Sequence, residues 1–177
     1  MRDALILTLD GLTPQLAPRV FLAPGAVVAG DVVIGEDSSL WYHVVARGDV
    51  GRIRIGQRVN VQDHSMVHMS GGLSETIIGD DVTIGHRAVI HGCAIEERCL
   101  VGMGAVVMDN AVIGAESIVG AGALVTPGTR IPPRSLVVGS PARVKRTLDD
   151  EDVVKLLASA AHYVQTAARH RQALEQA

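Results

Sequence analysis

A small aliphatic residue returns at every sixth position late in the chain, at Val101, Val107, Ile113, Val119, Val125 and Ile131. A helix repeats about every 3.6 residues and a half-buried strand every two, so neither produces this spacing. A six-residue unit that buries its first residue makes one flat side of a β-solenoid, and three sides close a triangular turn of about 18 residues. The same phase runs earlier through Leu22, Val28, Ile34, Leu40 and Ala46, slips around Gly48–Arg54, and resumes at Ile55, Val61 and Val67. A second break at Met69–Ile77, with Ser70, Gly71, Gly72 and Ser74, predicts a protruding loop. The pattern restarts at Ile78, Ile84 and Ile90, loses one residue, and continues from Ile95. The expected fold is therefore mainly β, a prism over residues 20–142, with about six turns between 20 and 138. Glycines directly after the inward aliphatic (Gly35, Gly56, Gly79, Gly85, Gly102, Gly114, Gly120) suggest corners with an unusual backbone angle.

The two ends break the pattern. Residues 1–19 do not repeat and read as an N-terminal strand or cap. In 143–177, Val153, Leu156, Leu157, Ala160, Ala161, Val164 and Ala168 fall at helical spacing behind the acidic Asp149–Asp152 cluster, which suits a helix N-terminus. A C-terminal helix of about 25 residues packed along the prism is expected, all within one domain.

Composition narrows the class. The 177 residues are 47% hydrophobic with a net charge of −3, and the apolar set is Val, Ile, Leu and Ala with one Trp, two Tyr and one Phe. Small branched side chains suit a narrow interior. No basic excess points to nucleic acid, and no apolar span is long enough to cross a membrane. Asp3 and Asp10 interrupt the N-terminal apolar stretch, arguing against a signal sequence. Cys93 and Cys99, six residues apart, take equivalent slots on successive sides and read as reduced thiols of a cytoplasmic protein.

The register also stacks chemistry. His68 follows Val67, and His91 follows Ile90 one turn later, so both occupy one slot on side three, about 4.8 Å apart between strands. Arg47 falls in that column one turn earlier. Two stacked imidazoles can converge on one ion at about 2.0–2.1 Å. His86 lies on side two of the same turn and should not reach the other two within one chain. Around a threefold axis, side two of one prism can pack beside side three of its neighbour, which would complete a three-histidine site between subunits of a homotrimer.

Arg47-Gly-Asp49, Asn60-Val-Gln62-Asp63, His68 and the segment His86–His91 together resemble the γ-class carbonic anhydrase family over about residues 10–170. The resemblance implies a left-handed β-helix trimer with His68 and His91 from one subunit and His86 from the next, holding Zn2+, or Fe2+ or Co2+ in some members. An open position would carry water whose pKa falls toward 7, supplying hydroxide for attack on carbon dioxide. Gln62 would hydrogen-bond the reacting oxygen, Tyr163 would approach from the terminal helix, and Asn60 would support the site. Arg47 and Asp49 would form charge-assisted pairs with Asp63, some across the interface.

Two departures accompany the match. Active members carry a Glu directly after Arg-x-Asp and another in an acidic loop after the first metal-binding His, where this chain has Val50 and Gly71. His64 or Glu75 would have to pass the proton instead. The departures keep open a weakly active or inactive metal-binding scaffold. Gly139–Arg143 resembles a segment near coenzyme A in hexapeptide acyltransferases, and a metal-activated hydroxide can also serve a thioesterase. Arg47–Asp49 reads superficially as an adhesion tripeptide, which both charges' interface placement argues against.

Overall fold

A computed structural model describes residues 3–176, so residues 1–2 and 177 of the two terminal segments lie outside the described residues. Parallel strands coil into a left-handed triangular β-helix, and a single helix, Asp150–Glu175, lies against it. Each side is one ladder of inward aliphatics. Side one stacks Leu16, Ile34, Ile55, Ile78, Ile95, Ile113 and Ile131. Side two stacks Leu22, Leu40, Val61, Ile84, Val101, Val119 and Val137. Side three stacks Ile6, Val28, Ala46, Val67, Ile90, Val107 and Val125. From Ile34 onward these side chains are almost wholly buried, and each Val, Leu or Ile contributes about 1.5–3 kcal/mol by leaving water.

The coil has one more turn than the six expected, because the N-terminal segment joins it. Leu5–Leu7 and Gln15–Leu16 pair in parallel with Val27–Ile34, on sides three and one. Their period is hidden by the intervening bridge between Leu9 and Leu12, and Ile6 and Leu16 remain exposed at the open end. The slip at Gly48–Arg54 has a different cause. Val45–Ile55 is one unbroken strand that turns from side three to side one, as Val27–Ile34 does above it. Gly48 stands opposite Gly30 there, and a Cβ on Gly48 would lie 2.6 Å from the Asp31 carbonyl oxygen.

The corner glycines serve another purpose than the one expected. Gly56 and Gly102 have ordinary φ; a Cβ would lie 2.8 Å from the backbone of Gly79 in the first case and 2.5 Å from the Ala121 nitrogen in the second. They are needed for close stacking of coils. The left-handed angle falls two residues later, on Asp37, Arg58, Asp81, Arg98, Glu116 and Arg134, with φ between 53° and 60°. Non-glycine residues there cost about 1–3 kcal/mol each. Each of these residues donates its N–H to a carbonyl of the corner above, for example Arg98 to Asp80 at 2.8 Å and Arg134 to Ala115 at 2.8 Å. Their side chains alternate in sign down the corner. Arg58 grips Asp81 at 2.6 and 2.8 Å, Arg98 and Arg134 share Glu116, and Arg134 reaches Asp150 at the head of the helix.

That helix begins at Asp150, behind the strand Ala142–Thr147, and is capped by Asp149, whose carboxylate accepts from the Asp152 N–H while the Asp152 side chain accepts from Asp149. It packs on side two, where all four aromatic residues collect outside the prism. Trp41 lies edge-on to Phe21, Tyr163 and His170 at 5.5, 5.7 and 4.9 Å between ring centroids, and Tyr42 Oη is 3.0 Å from His170 Nδ1. No helix among the described residues is long and apolar enough to cross a membrane. Ile113→Ala is expected to lower unfolding free energy by about 2–5 kcal/mol, while Arg98→Ala costs under about 1 kcal/mol. Urea unfolding of both variants checks this; an Arg98 loss as large as that of Ile113 would make the charged corner, not the core, dominant.

Candidate metal centre

Register brings His68 and His91 together on side three: their Cα atoms are direct partners in adjacent strands, Met66–His68 and Val89–His91. Their rings lie 5.3 Å apart, with His68 Nδ1 3.4 Å from His91 Nε2. Each ring is held from behind. His68 Nε2 lies 3.0 Å from Asp49 Oδ1, and His91 Nδ1 lies 3.0 Å from Asp109 Oδ2. A neutral imidazole has one N–H. With both rings neutral and each N–H given to its carboxylate, the two nitrogens that face each other would both present lone pairs, an arrangement that repels unless a cation lies between them.

The spacing fits such a cation. Two nitrogens on one tetrahedral ion at about 2.0–2.1 Å stand about 3.3–3.4 Å apart, and the separation here is 3.4 Å. Burial would raise the Asp109 carboxyl, but hydrogen bonds from Ser74 and His91 hold it below the usual carboxylate range. Asp49 is likewise opposed by burial and held low by His68 and Arg47. Both stay charged acceptors at neutral pH.

His86 follows the same scheme on another side, its Nδ1 2.8 Å from Asp63 Oδ2 and its Nε2 left free. Among the described residues, no group of three or more His, Cys, Asp or Glu side chains can hold an ion within the chain. One chain thus carries a histidine pair on side three and, separately, His86 on side two. Arg47 and Asp49 pair with each other, and within the chain Asp63 is the partner of His86 instead of either.

His86 lines a groove of about 310 Å³ between side two and the helix, together with Gln62, Thr83, Ser159 and Tyr163. Gln62 is oriented by a chain of hydrogen bonds. Its Nε2 donates to Asn60 Oδ1 at 3.1 Å, Asn60 Nδ2 donates to Thr83 Oγ1 at 2.9 Å, and Thr83 meets Ser159 Oγ of the helix at 3.2 Å. The Gln62 carbonyl oxygen is thereby the end left for the groove. Burial, with the charge of Asp63, raises the Tyr163 hydroxyl above its ordinary value, so it stays protonated.

The two candidate proton carriers lie elsewhere. His64 sits on a left-handed corner and stacks on His43 at 5.2 Å. Glu75 pairs with Arg52 at 2.6 Å in a cleft that also contains Val50. Val50 and Gly71, the positions lacking glutamates, face each other: a Cβ on Gly71 would lie 3.1 Å from the Val50 Cβ. Gly139–Arg143 forms the tip of the antiparallel hairpin Ser135–Gly139/Ala142–Thr147 that ends the prism. Cys93 and Cys99 are free and buried, their thiols pushed up to about 12 by burial, so both are inert packing groups.

Asp109, Ser74, Thr83 and Ser159 were not singled out from sequence. Thr83 was within reach, since it stands directly opposite Asn60. Asp109 lies 18 residues after His91, but the shortened step at Ile90–Ile95 puts Val107, not Met108, opposite Ile90. Asp109 is thus two residues past the inward Val107, and a column confined to the residue directly after each inward aliphatic passes over it.

The geometry defines a hexapeptide-repeat prism that carries a histidine pair backed by carboxylates on side three. Residues 92–127 match the bacterial transferase hexapeptide (six repeats) family, and residues 75–108 match the hexapeptide repeat of succinyl-transferase. A probable carbonic anhydrase from Methanocaldococcus jannaschii is 59% identical over 150 residues, covering 85% of this chain and 94% of that protein. The mitochondrial gamma carbonic anhydrase 2 of Arabidopsis thaliana is 43% identical over 163 residues, covering 89% of this chain but only 59% of its own length. The product of the Bacillus cereus BC4754 gene, whose crystal structure carries an acetyltransferase name, superimposes with a TM-score of 0.93 at 39% identity, covering 96% and 98% of the two chains. The chain belongs to the γ-class carbonic anhydrase family.

Asn60→Ala leaves Gln62 Nε2 without its buried acceptor and is expected to cost about 1–3 kcal/mol. The urea midpoint of the variant measures this, and an unchanged midpoint would mean that Gln62 is oriented by other contacts.

Proposed function

We propose that this protein hydrates carbon dioxide to bicarbonate as a homotrimer, at metal centres completed between subunits. His68 and His91 of one subunit and His86 of the next would hold the ion, Zn2+ in the first instance and Fe2+ or Co2+ as alternatives. The observation that carries this reading is the pair of facing ring nitrogens of His68 and His91, 3.4 Å apart with each ring held from behind by a carboxylate. His86 supports it, because Asp63 occupies one ring nitrogen and leaves the other available on a different side of the prism. When bound, the ion supplies the Lewis acidity that ionises water near neutral pH.

The chain's own residues do the rest. Asp49, Asp109 and Asp63 fix the tautomers of the three imidazoles and raise their basicity. Gln62, unable to flip while Asn60 accepts its N–H, presents a carbonyl oxygen that accepts a hydrogen bond from the reacting hydroxyl and aims the opposite lone pair at carbon dioxide. Tyr163, protonated, offers its Oη as a donor toward bicarbonate oxygen. The Arg47–Asp49 pair secures the support behind His68. Proton export is the weak step, for Glu75 is neutralised by Arg52 and His64 stacks on His43. Buried thiols at Cys93 and Cys99 accord with a cytoplasmic setting.

Metal content and hydration measured on one anaerobic preparation, reconstituted separately with zinc, cobalt and ferrous iron, test this reading. About one ion per chain and metal-dependent hydration are expected, with both lost in His68→Ala. Metal without hydration would leave the scaffold, thioesterase or acyltransferase alternatives, which thioester hydrolysis and acetyl transfer by the same sample separate. Turnover is also expected to rise with imidazole buffer concentration, and Val50→Glu to reduce that dependence. A rate insensitive to buffer would mean an internal carrier already suffices.

A further inference from the structure

The protruding loop between Met69 and Thr76 is tied to the His91 imidazole through one side chain, Asp109. Its Oδ2 lies 3.0 Å from His91 Nδ1, while its other oxygen accepts from Ser74 Oγ at 2.5 Å and from the Ser70 N–H at 3.3 Å. The carboxylate is almost fully buried, so these protein donors replace water. Gly92, directly after His91, has φ +60, and a Cβ on it would overlap both the Ser74 hydroxyl and the Asp109 carboxylate. The shortened step after Ile90 is thus what lets loop, carboxylate and ligand meet. Thr76 closes the loop's far end: its hydroxyl accepts from the Gly92 N–H at 3.0 Å and donates to the His68 carbonyl at 2.5 Å. His68 is supported differently, by Asp49 from within its neighbouring strand.

We infer that Ser74 and Asp109 are positioning residues for His91, so that the conformation of the 70–75 loop sets the affinity of the metal centre. This rests on the proposed metal-binding reading. The loop donors fix the carboxylate, the carboxylate fixes the imidazole's tautomer and plane, and Nε2 is left aimed at His68 Nδ1. Opening the loop would release both donors from Asp109 Oδ1 and let the ring turn.

Zinc affinity of the metal-free trimer, measured by competition with a chromophoric chelator, tests the inference alongside the visible spectrum of the cobalt form. Asp109→Asn keeps the shape and removes the charged acceptor; a 10–100-fold weaker zinc affinity and an altered cobalt spectrum are expected. Ser74→Ala, which leaves the carboxylate in place, is expected to weaken zinc several-fold, and Ser74→Thr to restore it. A merely structural role would lower the melting midpoint of the metal-free protein and leave zinc affinity unchanged; that result overturns the inference, and wild-type affinity in Ser74→Ala alone overturns the part assigned to the loop. Should Asp109→Asn fail to fold, Ser74→Ala decides. A wild-type protein that takes up no zinc would instead overturn the proposed metal centre itself, and this inference with it.

Discussion

Everything in this molecule depends on the vertical stacking of one aliphatic side chain per strand inside a narrow prism. Parallel coils about 4.8 Å apart leave no room for a change of phase, because a one-residue slip would turn every inward side chain outward. Isoleucine fills side one from Ile34 to Ile131, while sides two and three mix Leu, Val, Ile and Ala. The interior takes no aromatic ring. All four aromatic residues lie outside, where the helix covers side two. Once that ladder is set, residues 18 or 23 positions apart become neighbours, and polar chemistry can be built in columns.

The columns serve different ends. At one corner, alternating Arg and Asp or Glu side chains follow the left-handed residues from Asp37 to Arg134 and end on the helix at Asp150. These groups are partly exposed, so their pairing adds little energy each. Their backbone hydrogen bonds to the next corner offset the unfavourable angles. On side three the same stacking produces a pair of imidazoles, and here the geometry is more exacting. Each histidine has one ring nitrogen against a carboxylate, and the remaining two nitrogens face each other at 3.4 Å.

The insertion after His68 belongs to this logic. A regular coil would carry the chain from His68 directly to side one. Five additional residues let Ser70 and Ser74 reach Asp109, and the glycine after His91 makes space for them. The irregular parts of the solenoid therefore gather at its chemical site, to which the regular coils beyond Ile95 contribute Asp109.

From the sequence alone, the six-residue period established the prism, the three-sided register, the loop at Met69–Ile77 and the column shared by His68 and His91. Those are consequences of a repeat with a single buried residue per unit, and counting suffices to read them. The carboxylates behind the histidines required the tertiary structure. Asp109 lies two residues past Val107, the partner of Ile90, outside the slot that directly follows an inward aliphatic, and Asp49 lies where its strand shifts register in rounding a corner. The N-terminal coil was hidden because its inward residues, Ile6 and Leu16, are separated by a bridged turn of no fixed length. Which nitrogen of each histidine is left free was decided by those partners, since a tautomer follows from the acceptor beside the ring and leaves no trace in the order of the residues.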